Sequence, residues 1–320
     1  MNFLRKYYEY FTLLFVSFVY LFTIAPSVIQ IDSGELAAVQ ATLGIAHPTG
    51  YPLFTMLGYL FSIIPLPFTT IYQLNLLALI WCVIGLLFFI KTIKLILDNL
   101  NQFVVQKKIK QEKKGTKKGK QNEATELKII IEEDIKIFIS AIAGLILAFS
   151  FTFWHQSVSV EVYSLHISLI SLIIYFLVKA FLSDKSSMLY WFVLALVLAL
   201  GFSNHMTTLL ILPGIAYLFF TKFGINKVAF QKMFKMISLF IPVLILVYLY
   251  LPIRAAQNPI LNWGNPIDVE RMLRHISGFQ YQVWLFTSME AAKEQLQYFF
   301  STISIQFSVS LILVFIGIVY

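Results

Sequence analysis

Cysteine is nearly missing from this chain, with one residue, Cys82, in 320. A lone cysteine excludes an intrachain disulfide and a thiolate metal site, and Cys82 lies inside an apolar run as a small core residue. Charge is scarce too. Only 12% of residues are charged against 59% hydrophobic, and the mean hydropathy is +0.79. A soluble domain of this length cannot hide so much apolar surface, because the buried fraction grows slowly with size. The segments of about ten alternating residues that build a transmembrane β-barrel are also absent. What the chain does have is apolar runs of about 20 residues, the length of a bilayer-crossing helix. The sequence predicts an all-α polytopic membrane protein.

The net charge of +8 does not point to nucleic acid, because eight lysines fall between Lys107 and Lys120. They belong to one loop, 101–136, that is too polar and charged to pack and reads as disordered. It serves as a solvated topogenic loop, and it could hold anionic headgroups at the cytoplasmic surface. Arg5 and Lys6 precede an apolar stretch from Tyr10 to Ile31. That stretch is longer than a signal-peptide core, and Ala25-Pro26-Ser27 is a poor cleavage site, so an uncleaved first span is expected.

About eight spans are predicted, near 10–30, 72–97, 136–154, 160–182, 188–204, 206–221, 235–252 and 300–320. The stretch 51–64, closed by Pro65 and Pro67, is too short to cross comfortably and reads as re-entrant, interfacial or tilted. Placing the N-terminus in the cytoplasm puts Arg5, Lys6, the lysine run, Lys179, Lys185, Lys222, Lys227, Lys232 and Lys235 inside. The outer connections are then 31–71, 155–159, the turn near 205, and 253–299. Residues 1–320 form a single transmembrane domain, and an end at Tyr320 within an apolar run predicts further sequence beyond it.

Four outer segments carry residues able to do chemistry. The first runs from Asp32 to Pro52. Asp32 and Glu35 have the spacing of a capping box, followed by a short helix with an apolar stripe at Leu36, Val39 and Leu43 and a stop at Gly44. A cap explains Glu35 nearly as well as a binding role does. Asp32 emerges directly from an apolar span, where ionisable groups are costly and tend to mark sites. His47-Pro48-Thr49-Gly50-Tyr51-Pro52 is a rigid turn in which His47 could move a proton or donate to phosphate, beside Tyr51. The second segment holds Glu161 at the mouth of a span, with Tyr163 and His166 nearby. The third is the turn Asn204-His205. The fourth, Tyr250 to Pro266, holds Arg254, whose planar fork suits a phosphate and whose alternative is interfacial snorkelling. Asn262 and Trp263 follow, and Trp263 could stack on a sugar or anchor the loop. No phosphate-binding Gly-rich loop, nucleophile elbow or zinc-helix signature is present.

The segments DSGELAAVQATLGIAHPTGYPLF (32–54), SVEVYSLH (159–166), GFSNHMTTLLILPG (201–214) and YLPIRAAQNPILNWGNP (250–266) resemble the transmembrane O-mannosyltransferase family over most of 10–285. That family is similar to GT-C glycosyltransferases, which act outside the cytoplasm on polyprenyl-phosphate sugars. The resemblance implies a GT-C-like bundle in which Asp32, in the first outer loop, is the catalytic base. An acceptor hydroxyl, on protein Ser/Thr or a glycan, would attack the anomeric carbon with inversion and expel polyprenyl phosphate. Arg254 is expected to meet the phosphate first, helped by His47 or His205, with Glu35 and Glu161 on sugar or acceptor. The expected sugar is mannose, the partners are the lipid-linked donor, the acceptor and membrane lipids, no cofactor is called for, and a metal requirement is left open. The expected setting is a bacterial inner membrane with the site facing the periplasm or lumen. A secondary transporter is the runner-up, and it would need a midplane site on broken, repeat-related helices. A non-catalytic membrane scaffold is the third reading.

Overall fold

The computed structural model describes residues 2–29, 31–103, 129–284 and 288–319. The middle of the predicted disordered loop, 104–128, lies outside the described residues. The chain is helical almost throughout, and its only bridge among the described residues pairs Ile45 with Asn262.

The core is built on α4 (Thr70–Asp98), which packs most extensively against α7 (Val162–Leu182). Gly85 permits that approach, since a Cβ there would lie 3.2 Å from the Ser168 backbone. Next to α7 stands α8 (Leu189–Asn204), and α8 packs in turn against α10 (Lys227–Tyr248). Between α8 and α10 the chain makes a 3-10 turn, Met206–Ile211, and α9 (Leu212–Phe223). On the other side α1 (Asn2–Thr23) and α5 (Glu133–Ala148) cover α4. Among the described residues five helices are long and apolar enough to span a bilayer, or six if one bent pair counts as a single span. A polytopic membrane protein is therefore observed, with fewer qualifying helices than the eight spans expected.

The predicted span 136–154 is broken. After α5 the axis turns by 72° into α6 (Phe151–Ser157). Neither proline nor glycine stands at the break. Instead Tyr20 Oη donates to the Ala148 carbonyl at 2.6 Å, and Trp154 Nε1 donates to Thr23 Oγ1 at 3.0 Å. These contacts from α1 satisfy a carbonyl that a continuing helix would have used. The short stretch after Tyr51 forms α3 (Pro52–Ser62), an apolar helix of 11 residues.

Candidate active site

The four segments converge at one end of the bundle. The convergence is built largely by Asn75, a fully buried residue in the second turn of α4. Its Nδ2 donates to the Ala25 carbonyl at 2.8 Å and the Ser27 carbonyl at 3.3 Å, while Oδ1 accepts the Val160 N–H at 2.8 Å. The exit of α1, which leads to Asp32, is thus tied to the strand-like approach to Glu161. Ala25 N–H adds a 2.9 Å bond to the Val158 carbonyl. On the far side Ile45 N–H donates to the Leu261 carbonyl at 2.8 Å and Trp263 N–H to the Ile45 carbonyl at 3.2 Å, stitching the first segment to the fourth.

Asp32 precedes α2 (Ser33–Thr42) in helical backbone geometry, φ −88° and ψ −14°, and its side chain makes no capping hydrogen bond. The expected capping box does not form. A carboxylate caps from extended backbone geometry, and Asp32 leaves its side chain exposed instead. The left-handed stop is Leu43, φ 52°, one residue before the glycine expected there.

Glu35 does not reach back to the helix start. Its Oε1 accepts the His47 backbone N–H at 2.8 Å, and both carboxylate oxygens lie 3.2 Å from His47 Nδ1. His47 Nε2 is 3.1 Å from Tyr51 Oη, which also lies 3.3 Å from the Pro48 carbonyl. This arrangement accommodates both protonation states of the imidazole. Neutral His47 donates from Nδ1 to Glu35 and accepts at Nε2 from the phenol. Protonated His47 donates from both nitrogens, and the phenol proton turns to Pro48.

Tyr51 lies parallel to His205, ring centres 6.0 Å apart at 2°. His205 is in turn 5.1 Å from the rings of Tyr163 and His166. Thr207 Oγ1 joins the two histidines, 2.7 Å from His205 Nδ1 and 2.9 Å from His166 Nε2. Burial pushes His205 below the ordinary imidazole value, which favours the neutral ring. Burial also raises the Tyr51 phenol, and nearby Tyr163, Tyr281, Asp32 and Glu161 push it the same way. Thr207 was not singled out by the sequence, because a threonine in a turn carries no signal of its own.

Glu161, the residue before α7, is 6% exposed. Burial first, and the Asp32 charge second, push its carboxyl up to about 7, with the Val162 N–H opposing. The site therefore holds two acidic groups in contrasting surroundings, one exposed and one buried. That contrast is how paired carboxyls come to take different roles.

Arg254 is engaged elsewhere. In α11 (Tyr250–Ala255) its Nε donates to the Leu43 carbonyl at 2.8 Å, one terminal nitrogen to the Thr42 carbonyl at 3.2 Å, and the other to Gln257. The guanidinium thus caps the C-terminus of α2, where orphan carbonyls and the helix dipole favour a cation. Asn262 Nδ2 donates to Asn265 Oδ1 at 3.2 Å, within its own turn, and the Trp263 ring is 44% exposed. His275, in α12 (Val269–Ile276), was also not anticipated. Its ring is wedged between Gly50 and Gly264, where a Cβ would stand 3.0 Å and 2.9 Å away, and Nε2 lies 3.1 Å from the Ala46 carbonyl. Among the described residues no group of three or more His, Cys, Asp or Glu is placed to hold a metal ion.

Comparison with known proteins bears on this constellation. The family described as Protein O-mannosyl-transferase TMEM260 N-terminal domain matches residues 32–229, more than half of the chain. Protein O-mannosyl-transferase tmem260 of Dictyostelium discoideum is 57% identical over 56 residues, 17% of this chain and 7% of that protein. Protein O-mannosyl-transferase TMEM260 of Mus musculus is 45% identical over 64 residues, 20% of this chain and 9% of that protein. The matched segments are thus a small part of those relatives. No solved structure matches the chain.

Proposed function

The chain belongs to the protein O-mannosyl-transferase TMEM260 N-terminal domain family, and from that premise we propose that it transfers mannose from a polyprenyl-phosphate donor to a protein Ser/Thr hydroxyl. The names of the curated relatives support the sugar and the reaction. The observation that carries the reading is the Asp32–Glu161 pair, an uncapped exposed carboxylate beside a buried carboxyl.

In this reading Asp32 takes the proton as the acceptor oxygen attacks the anomeric carbon. A Ser or Thr hydroxyl barely ionises at neutral pH, so a positioned carboxylate is worth about 10²–10⁴-fold. The new C–O bond forms as the bond to phosphate breaks, and the electron pair leaves on the phosphate with inversion at carbon. Glu161, protonated for part of the time near neutral pH, donates to a sugar hydroxyl or phosphoryl oxygen. Tyr51, His205 and His166 supply further donors to the growing phosphate charge, and Arg254 supports them by fixing the end of α2. The polyprenyl tail lies in a groove of about 490 Å³ between α8, α9 and α10, with an entirely apolar lining that includes Phe202, Leu209, Phe219 and Phe240. Leu209 is two residues from Thr207, which puts one end of that groove at the site. The site faces the lumen or its equivalent, the side opposite the lysines.

The test is reconstitution. Purified protein in liposomes, given polyprenyl-phosphate-mannose labelled in the sugar and a Ser/Thr peptide, should label the peptide. Accumulation of a soluble solute inside the vesicles, with no labelled peptide, would favour a transporter instead.

A further inference from the structure

At the end of the bundle away from Asp32, a cleft of about 460 Å³ opens between the α7–α8 turn and the α9–α10 turn, lined by Lys185, Ser186, Lys222, Phe223, Asn226 and Lys232. Lys222 is buried, and its ammonium donates to the carbonyls of Ala180 at 2.9 Å, Phe181 at 2.7 Å and Ser183. These three bonds use every ammonium proton and cap the C-terminus of α7. Lys222 thus contributes a fixed positive charge and no free donor. Lys232 gives one proton to the Lys185 carbonyl at 2.7 Å and stands 4.4 Å over the Phe223 ring. Two of its protons remain. The Lys185 ammonium is exposed, and the acidic neighbour that acts on Lys222 is Asp184. Three cations against one anion leave the cleft with an uncompensated positive charge, which low-dielectric walls focus on any anion that enters.

The depth of the cleft identifies the anion. The 21 residues of α7 run from Glu161 to this end, a rise of about 30 Å, or one hydrocarbon thickness. The cleft therefore lies at the headgroup level of the leaflet opposite the acidic site. Val228, 58% exposed, lines the cleft, and Ile225, 80% exposed, stands in the same turn between the lining residues Phe223 and Asn226. A free phosphate would use the lysines and leave those apolar side chains in water, whereas a phospholipid satisfies both. We propose that this cleft binds the phosphate of an anionic phospholipid, held by Lys185 and Lys232 in the field of Lys222, with acyl chains against Ile225 and Val228.

Delipidated protein in detergent, titrated with dioctanoyl phosphatidylglycerol, dioctanoyl phosphatidylcholine or inorganic phosphate, tests this by thermal melting and native mass spectrometry. Phosphatidylglycerol should bind saturably and raise the melting temperature, and the other two should not. Lys185→Gln and Lys232→Gln should each weaken that binding about five-fold, while Lys6→Gln, remote from the cleft, should leave it intact. Lys222 is left in place because it caps α7. Equal binding of phosphatidylcholine, unchanged binding in the two cleft variants, or an equal loss in Lys6→Gln would overturn the proposal. Saturation by inorganic phosphate at the same strength would overturn the lipid assignment in favour of a soluble phosphate.

Discussion

Glu35 holds His47 twice, through the backbone N–H at 2.8 Å and through Nδ1 at 3.2 Å from both carboxylate oxygens. The carboxylate therefore fixes both the position of the turn and the tautomer of the ring, leaving Nε2 for Tyr51. Glu35→Gln keeps the size but can offer Nδ1 only one acceptor oxygen. Transfer should fall by up to about a hundred-fold, the cost of a small misplacement in a reacting constellation. Steady-state kinetics beside a melting curve separate this from general damage, since Glu35→Gln should lose transfer while keeping most of its melting temperature, and a distant destabilised variant should do the reverse.

Asn75 is predicted to matter to the whole site without touching substrate. Asn75→Leu removes two donors and leaves the Val160 N–H unpaired in the core. Hydrogen bonds between spans are worth about 0.6 kcal/mol each, and an unpaired buried N–H costs about 1–3 kcal/mol. The orphaned group dominates, for a total of about 2–4 kcal/mol. Thermal melting in detergent checks this.

The raised Glu161 carboxyl predicts a pH dependence of stability. Its value rises from 4.5 to about 7 on folding, so between those pH values the folded state keeps a proton that the unfolded chain releases. Stability then falls as pH rises through that window. The cost is absent below about 4.5 and complete above about 7. Melting temperatures measured from pH 5 to 8 should decline in the wild type and flatten in Glu161→Gln. In Asp32→Asn the decline should be smaller and end at a lower pH, because the like charge beside Glu161 is gone.

Much of this was written in the residue pattern. The four segments that meet at the site were visible as polar islands at the mouths of apolar runs, and the length of α3 followed from its prolines. What was not visible was competition between partners distant in the chain. The Asp32–Glu35 spacing fits a capping box, yet His47, 12 residues further on, takes Glu35. That Arg254 caps the end of α2, more than 200 residues away in sequence, could not be read from its own segment. Asn75 was hidden in an apolar run, where a lone amide could equally have faced a neighbouring helix anywhere along the span. The break after Ala148 has no local signature, because the partners at it, Tyr20 and Thr23, come from α1, outside the segment.

Asp32 as the base is the central claim, and Asp32→Asn in the reconstituted transfer reaction tests it most directly. The substitution keeps the size of the side chain and removes the carboxylate charge together with its capacity to take a proton. With folding verified by its melting transition and donor binding unchanged, transfer to the peptide should drop about 10²–10⁴-fold. Transfer by Asp32→Asn at the wild-type rate would contradict the account.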